Sequence, residues 1–142
     1  MKKLLLLLLI IFYSCDDGKP KFSEIENKQA HYFIEALNYD NESIKISNSG
    51  TAYSKIPSEE INKMLVLKKQ ALELAKKIPE NVLVKMHKEL PENYEVYKRG
   101  LKLRIKNLEE GDIQSEVEGS KLLEKWGEWF QQNKSEIKIP KA

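Results

Sequence analysis

The 142-residue chain contains a single cysteine, Cys15, so no disulfide can form within one molecule. It also lacks the short motifs of common catalytic sites: it has no glycine-rich phosphate loop, no GxSxG turn and no HExxH helix. No run of like charge is longer than three residues, which is typical of solvated helix faces of mixed sign. Stability must therefore come from core packing, and no motif indicates an enzyme class.

The first fifteen residues have a charged start, an apolar middle and a polar end. Lys2 and Lys3 precede an unbroken apolar run over residues 4–12. This run is much shorter than the roughly 20 residues that a membrane-spanning helix needs. The order is that of a secretory signal peptide.

The end of this segment resembles the lipobox of bacterial lipoproteins. Ser14, a small residue, directly precedes Cys15, and the polar residues Asp16 and Asp17 follow at once. The resemblance implies cleavage before Cys15, a diacylglycerol on its thiol and attachment to a membrane through the acyl chains. It places the protein in the bacterial cell envelope and leaves the membrane and its face open. Two alternatives remain: an ordinary signal peptide cut near Ser14 with a free thiol at Cys15, and an uncleaved membrane anchor.

Loss of the signal peptide changes the charge balance. The whole chain has 24 Lys and Arg against 22 Asp and Glu, a formal net charge of +2. Without Lys2 and Lys3 the two totals are equal. We therefore expect neither nucleic acid nor anionic lipid as a partner, because proteins that bind phosphate groups through their overall charge usually carry excess positive charge.

The helical periodicity predicts an all-α fold, a small bundle of four to five antiparallel helices with either a short β-hairpin or a loop at 43–56. We divide the chain into a signal peptide at 1–14, the lipidated cysteine and a flexible tether at 15–22, a helical domain at 23–133 and a polar tail at 134–142.

Capping signals give the expected helix boundaries. Ser23 and Glu26 form a capping-box pattern at the start of the first helix, which we expect to end near Asn38. In the next segment, residues 44–46 and 51–53 alternate weakly, as the strands of a hairpin would. The later helices begin at Pro57, Pro79, Pro91 and Asp112, and Gly111 ends the fourth.

Three glycines, Gly100, Gly119 and Gly127, lie inside helical patterns, where each costs close to 1 kcal/mol relative to alanine. Such glycines often allow two helices to approach closely. The alternative is a local kink.

Three aromatic residues near the end of the last helix, Trp126, Trp129 and Phe130, form the one candidate partner surface. Buried tryptophans anchor many protein interfaces. The alternative is that all three complete the core of a small domain, which needs large apolar side chains. Tyr94 and Tyr97 are expected to pack in that core.

Candidate metal ligands are few. His31 and Glu35 stand one helical turn apart, but a metal site needs three or four ligands and no second cluster follows. His87 has no partner in the sequence pattern. We predict no metal site, no cofactor and no catalytic residues.

Three classes of function stay open. The first is a lipid-anchored, non-catalytic module that binds a protein partner or acts as a scaffold in the envelope. The second is an envelope immunity or inhibitor protein. The third is a carrier of a small ligand, or an enzyme. We take the first as the main hypothesis.

Overall fold

The computed structural model describes residues 18–48 and 56–141, and their secondary structure is entirely helical. The five helices are α1 (Glu24–Ser47), α2 (Ser58–Lys76), α3 (Glu80–Met86), α4 (Leu90–Glu110) and α5 (Ile113–Asn133). The predicted all-α bundle is confirmed. In the part of the chain that the structure describes, no helix is long and apolar enough to cross a membrane.

Helix α1 is about nine residues longer than the sequence pattern predicted. The buried face of α1 continues beyond Asn38 through Asp40 and Ser43, which follow Phe33 and Ala36 at helical spacing. The two later residues are polar and typical of turns. They stay helical because α2 supplies their partners: Lys68 for Asp40 and the Met64 carbonyl for Ser43.

Of the two alternatives for 43–56, a hairpin or a loop, the hairpin is wrong. Its first strand, residues 44–46, forms the last turn of α1 instead. The helix ends at Ser47 and is capped by Asn48, whose backbone N–H donates to the Ile44 carbonyl. The second strand, residues 51–53, lies outside the described residues.

The other helix boundaries follow their capping signals. Ser23 and Glu26 form both bonds of the capping box at the start of α1. Gly111 ends α4 in the left-handed conformation with φ of 68°, which glycine adopts without strain. Asp112 then caps α5 by accepting hydrogen bonds from the backbone N–H groups of Gln114 and Ser115.

The long helices form two antiparallel pairs, α1 with α2 and α4 with α5, and α2 also packs on α4. One core cluster unites them, with Phe33 of α1 in contact with Tyr94 of α4 and Trp126 of α5. Tyr94, Tyr97 and Leu101 are completely buried there, as their helical spacing predicted.

Two of the three helical glycines allow α4 and α5 to approach closely. A Cβ on Gly100 would lie 2.8 Å from the Leu123 side chain, and a Cβ on Gly119 would lie 3.0 Å from the Leu103 Cβ. A Cβ on Gly127 would meet no atom within 4 Å. The close-approach explanation is therefore confirmed for Gly100 and Gly119, whereas Gly127 has no packing role.

Candidate functional site

The structure places the three predicted partner-surface aromatics in unequal environments. Trp126 is only 5% exposed and lies at the centre of the core. Its ring centroid is 5.2 Å from that of Tyr97 and 5.8 Å from that of Tyr94. Trp129 and Phe130 are half-buried and pack against the same cluster. Only parts of Trp129 and Phe130 are therefore open to a partner.

The half-buried Trp129 lies where α5 ends and α4 begins. Its indole Nε1–H donates to the Glu89 carboxylate at 3.4 Å, and its ring meets the His87 ring edge-on with centroids 5.4 Å apart. His87 in turn lies 3.6 Å from the Glu136 carboxylate, measured from Nε2 to Oε2. The exposed part of Trp129 thus belongs to the end of the bundle that carries the C-terminal segment.

A polar cluster lies inside the bundle, where only apolar contacts would be expected. Lys68 of α2 and Asp40 of α1 form an ion pair, with Nζ 2.8 Å from Oδ1 and side-chain exposures of 3% and 8%. Next to them, the hydroxyls of Tyr94 and Tyr97 are buried, and neither has a hydrogen-bond partner among the described residues. Burial, followed by the charge of Asp40, raises the pKa of both tyrosines well above 10.

The surrounding helices enclose the polar side chains of this cluster. Asp40 lies close enough to raise the pKa of Tyr97, but the geometry of the two groups does not make a hydrogen bond. The ion pair of Asp40 and Lys68 is buried where α1, α2 and α4 meet. A different packing of these helices that separated the two side chains would leave both charges without a partner. A buried ion pair of this kind contributes specificity of packing more readily than net stability.

The two histidines are held by the fold itself. His31 donates from Nδ1 to the Asn27 carbonyl one turn earlier, at 2.8 Å. His87 accepts the Glu89 backbone N–H at Nδ1, at 3.2 Å. Among the described residues there is no group of three or more His, Cys, Asp or Glu side chains that could hold a metal ion.

The first and last described segments of the chain meet at one end of the bundle. Lys85 of α3 fixes the first segment: its Nζ donates to the Lys21 carbonyl at 3.1 Å and lies 5.9 Å from the centre of the Phe22 ring. The same Nζ is 2.7 Å from both carboxylate oxygens of Glu26. Lys85, then the Ser23 backbone N–H, lowers the pKa of Glu26 below its usual value. Lys21 and Phe22, which we assigned to the flexible tether, are thus held against α3.

The C-terminal segment is held at the same end. Its Lys138 backbone N–H donates to the Met86 carbonyl at 2.9 Å, and the Asn27 side chain donates to the Lys141 carbonyl at 3.1 Å. Ile137 and Ile139 pack against the core. The segment predicted as a polar tail therefore carries two apolar side chains that join the domain.

These two segments border an open groove of about 680 Å³, which we call the terminal groove. Its lining is mostly apolar and includes three lysines. The lining residues are Lys19, Pro20, Phe22, Asn27, Ile137, Lys138, Ile139, Pro140 and Lys141.

The start of α5 carries two exposed apolar side chains one helical turn apart. Ile113 is 76% exposed and Val117 is 51% exposed. The 21 residues of α5 span about 30 Å at 1.5 Å per residue. The Ile113–Val117 face therefore lies about 24–30 Å along α5 from the helix end that leads into the C-terminal segment.

No family model matches this chain, and the searches found neither a similar curated protein nor a similar solved structure. Function has to be inferred from the residues and their geometry.

The sequence analysis predicted no role for Lys68 or Lys85. One signal for Lys68 was nevertheless present: it stands midway between Met64 and Leu72 at four-residue spacing, on the apolar stripe of α2. A lysine on such a stripe needs a buried acid, and Asp40 occupies the matching place on α1. Lys85 carried no such signal, because its partners Lys21, Phe22 and Glu26 are about 60 residues earlier in the chain.

Proposed function

We propose that this protein is a lipid-anchored module of the bacterial cell envelope that holds a protein partner on its helical domain and has no catalytic role. The anchor is Cys15, which lies outside the described residues. The acyl chains on its thiol and amine would attach the protein to a membrane.

The observation that carries the proposal is the placement of the two chain segments relative to the Ile113–Val117 face. Lys19, only four residues after Cys15, lies in the terminal groove at one end of the bundle. Ile113 and Val117 lie in the first two turns of α5, about 24–30 Å along the helix axis from its last residue, Asn133. An anchor at Cys15 would thus leave these exposed apolar side chains directed away from the membrane, where a partner can reach them.

Two adjacent apolar side chains are a small contact, so a stable complex needs more surface around them. The neighbouring exposed residues of α5 are polar, and they include Gln114, Glu118 and Lys121. This arrangement of an apolar centre and a polar rim is typical of non-obligate protein interfaces. The exposed parts of Trp129 and Phe130 are the second candidate surface.

The anchor is tested by fractionating cells that produce the full chain or its Cys15→Ser variant. We expect the parent protein in the membrane fraction and the variant as uncut precursor that no longer carries acyl chains. Mature-sized, acylated protein from the Cys15→Ser variant would contradict the lipoprotein assignment.

The partner surface is tested by site-specific photo-crosslinking in cells. A photoreactive residue replaces Val117 in one variant, Trp129 in a second and Val84 in a control. Val84 is a matched control because it is 50% exposed, almost equal to the 51% of Val117, and lies on α3. A discrete crosslinked protein at Val117 and not at Val84 supports this face. If the crosslinked protein appeared only with the Trp129 variant, the interface would lie on the surface of Trp129 and Phe130. Equal products from all three variants would contradict a specific interface.

A further inference from the structure

We propose that the terminal groove is a membrane-contact surface that binds the headgroups of anionic phospholipids and so fixes the orientation of the anchored domain. This inference rests on the proposed function, because it takes Cys15 as the membrane anchor. The partner is thus the surface of the same bilayer that holds the acyl chains.

The length of chain between Cys15 and the groove brings the groove to the headgroups. Lys19 is four residues after Cys15 and already lines the groove. Four residues span at most about 14 Å when fully extended. The headgroup region of each leaflet is about 5–8 Å thick. An acylated Cys15 therefore keeps Lys19, at the edge of the groove, within about 14 Å of the anchored residue, which is about two to three headgroup thicknesses.

The side chains of the groove match an anionic interface. The charge of residues 15–142 is balanced overall, but locally Lys19, Lys138 and Lys141 supply positive charge, and no acidic side chain among the described residues lines the groove. Phe22, Ile137 and Ile139 supply apolar surface between the lysines. Each lysine near an anionic surface strengthens binding by about fivefold, so three contribute about a hundredfold.

Two acidic residues of the described chain are next in sequence to groove residues. Lys85 binds Glu26 through both carboxylate oxygens, whereas Glu136 lies 3.6 Å from His87, stays 70% exposed and opposes binding to an anionic surface. Asp16 and Asp17 lie between Cys15 and the groove and outside the described residues. They oppose binding to an anionic surface, and the experiment below therefore keeps both.

The groove is held in shape before any lipid binds. Three hydrogen bonds hold the two segments that line it. Lys85 donates to the Lys21 carbonyl, the Lys138 backbone N–H donates to the Met86 carbonyl, and the Asn27 side chain donates to the Lys141 carbonyl. A preformed surface loses less conformational entropy on binding than a flexible basic tail would.

The test uses residues 15–142 with Cys15→Ser, a chain that cannot be acylated. It keeps every residue that the structure describes, and therefore the whole packed core. Co-sedimentation is measured with vesicles of phosphatidylcholine alone and of phosphatidylcholine mixed with phosphatidylglycerol. We expect binding to the mixed vesicles only, and we expect added salt to weaken it.

A charge-matched pair of variants locates the contact. In the first, Lys19, Lys138 and Lys141 are replaced by Gln; in the control, the exposed Lys45, Lys63 and Lys102 are replaced by Gln. The first should bind mixed vesicles about a hundredfold more weakly, and the control should stay within a few-fold of the parent. Circular dichroism checks that both variants keep the helical content of the parent.

Three results would overturn the inference: no binding to mixed vesicles, equal binding to neutral vesicles, or equal losses in both variants. None of these bears on the anchor. The fractionation of Cys15→Ser in cells tests the anchor separately. If the protein is acylated in cells but binds neutral and anionic vesicles equally, lipid binding by the terminal groove is refuted and the anchor is not.

Discussion

The Nζ of Lys68 lies 2.8 Å from Oδ1 of Asp40, and this ion pair joins α2 to α1 inside the bundle with both side chains almost completely buried. Taking two charges out of water costs several kcal/mol per ion, which their mutual attraction offsets only when the geometry is good. Any packing of α1 on α2 that separates the two side chains would leave both charges buried without a partner. The pair therefore favours the register of the two helices in which the side chains meet.

Removing one member of this pair should be far more damaging than removing both. We expect Lys68→Met or Asp40→Leu alone to lower the free energy of unfolding by about 3–5 kcal/mol, because each leaves a buried charge without a partner. The double variant should cost much less than the sum of the two. Urea unfolding of all four chains measures the difference.

The adjacent lysine provides the control. Lys69 pairs with Glu109 at the surface, where both side chains are 40% exposed or more. Lys69→Met should change the free energy of unfolding by less than about 1 kcal/mol. Similar costs for Lys68→Met and Lys69→Met would show that burial of the Asp40 pair has no energetic effect.

The hydroxyl groups of Tyr94 and Tyr97 should contribute nothing to stability. Both are buried without a hydrogen-bond partner among the described residues, a state that costs about 1–3 kcal/mol per group. Tyr94→Phe and Tyr97→Phe should therefore leave the free energy of unfolding unchanged or raise it by about 1 kcal/mol. Tyr97→Ala, which removes the ring, should lower it by about 3–5 kcal/mol. A large loss on Tyr→Phe would reveal a hydrogen bond to the hydroxyl.

The same tyrosines should make the protein sensitive to alkali. Burial and the charge of Asp40 raise the pKa of both in the folded state above the ordinary value of 10.0. Above pH 10 the unfolded chain loses these two protons and the folded chain keeps them, so stability falls as the pH rises. The slope should approach about 1.4 kcal/mol per pH unit for each tyrosine.

Thermal unfolding between pH 9 and about pH 11 would measure this dependence. The variant that carries both Tyr94→Phe and Tyr97→Phe is the control, because it lacks the two groups that titrate. We expect a much shallower decline of its melting temperature over the same range. Parallel curves for parent and variant would contradict the assignment.

Alanine at two glycines of α5 should have opposite effects. A Cβ at Gly119 would lie 3.0 Å from the Leu103 Cβ and 3.2 Å from the Arg104 backbone nitrogen, so α4 and α5 must separate to admit it. We expect Gly119→Ala to lower the free energy of unfolding by about 1–3 kcal/mol. Gly127→Ala meets no atom within 4 Å and should raise it by about 0.5–1 kcal/mol through helix propensity. Equal effects in urea unfolding would contradict the close approach of the two helices.

Asp112 should titrate far below an ordinary aspartate. A hydrogen bond from Lys106, followed by hydrogen bonds from Ser115, lowers the pKa of its carboxyl from 3.8 to about 2. Its contribution to stability is present above pH 4 and is lost as the pH falls toward 2, because only the carboxylate caps α5. NMR titration of the carboxyl carbon measures the midpoint. Lys106→Ala should raise this midpoint. An unchanged midpoint would show that Lys106 does not lower the pKa of Asp112.

The sequence allowed much of the fold to be predicted and less of the candidate sites. Helix starts at Ser23 and Asp112 and the break at Gly111 were predictable, because a cap depends on residues three or four apart. The end of α1 was not, since it depends on Lys68 and Met64 in another helix. The sequence pattern also could not predict that Trp126 is buried whereas Ile113 is exposed. Helical periodicity does not show which part of a helix is covered by neighbouring helices.

The sequence by itself determined the features that short stretches of chain encode: the apolar run and Cys15 that predict an anchored envelope protein, the equal numbers of acidic and basic residues over 15–142 and the order of the helices. Tertiary structure alone decided which charges are buried and which chain segments meet. Lys85 reaches Lys21 and Glu26, and Asn27 reaches Lys141, across about 60 to 114 residues of sequence. The physical reason is that local backbone preferences act over a few residues, whereas burial and ion pairing depend on the packing of distant helices.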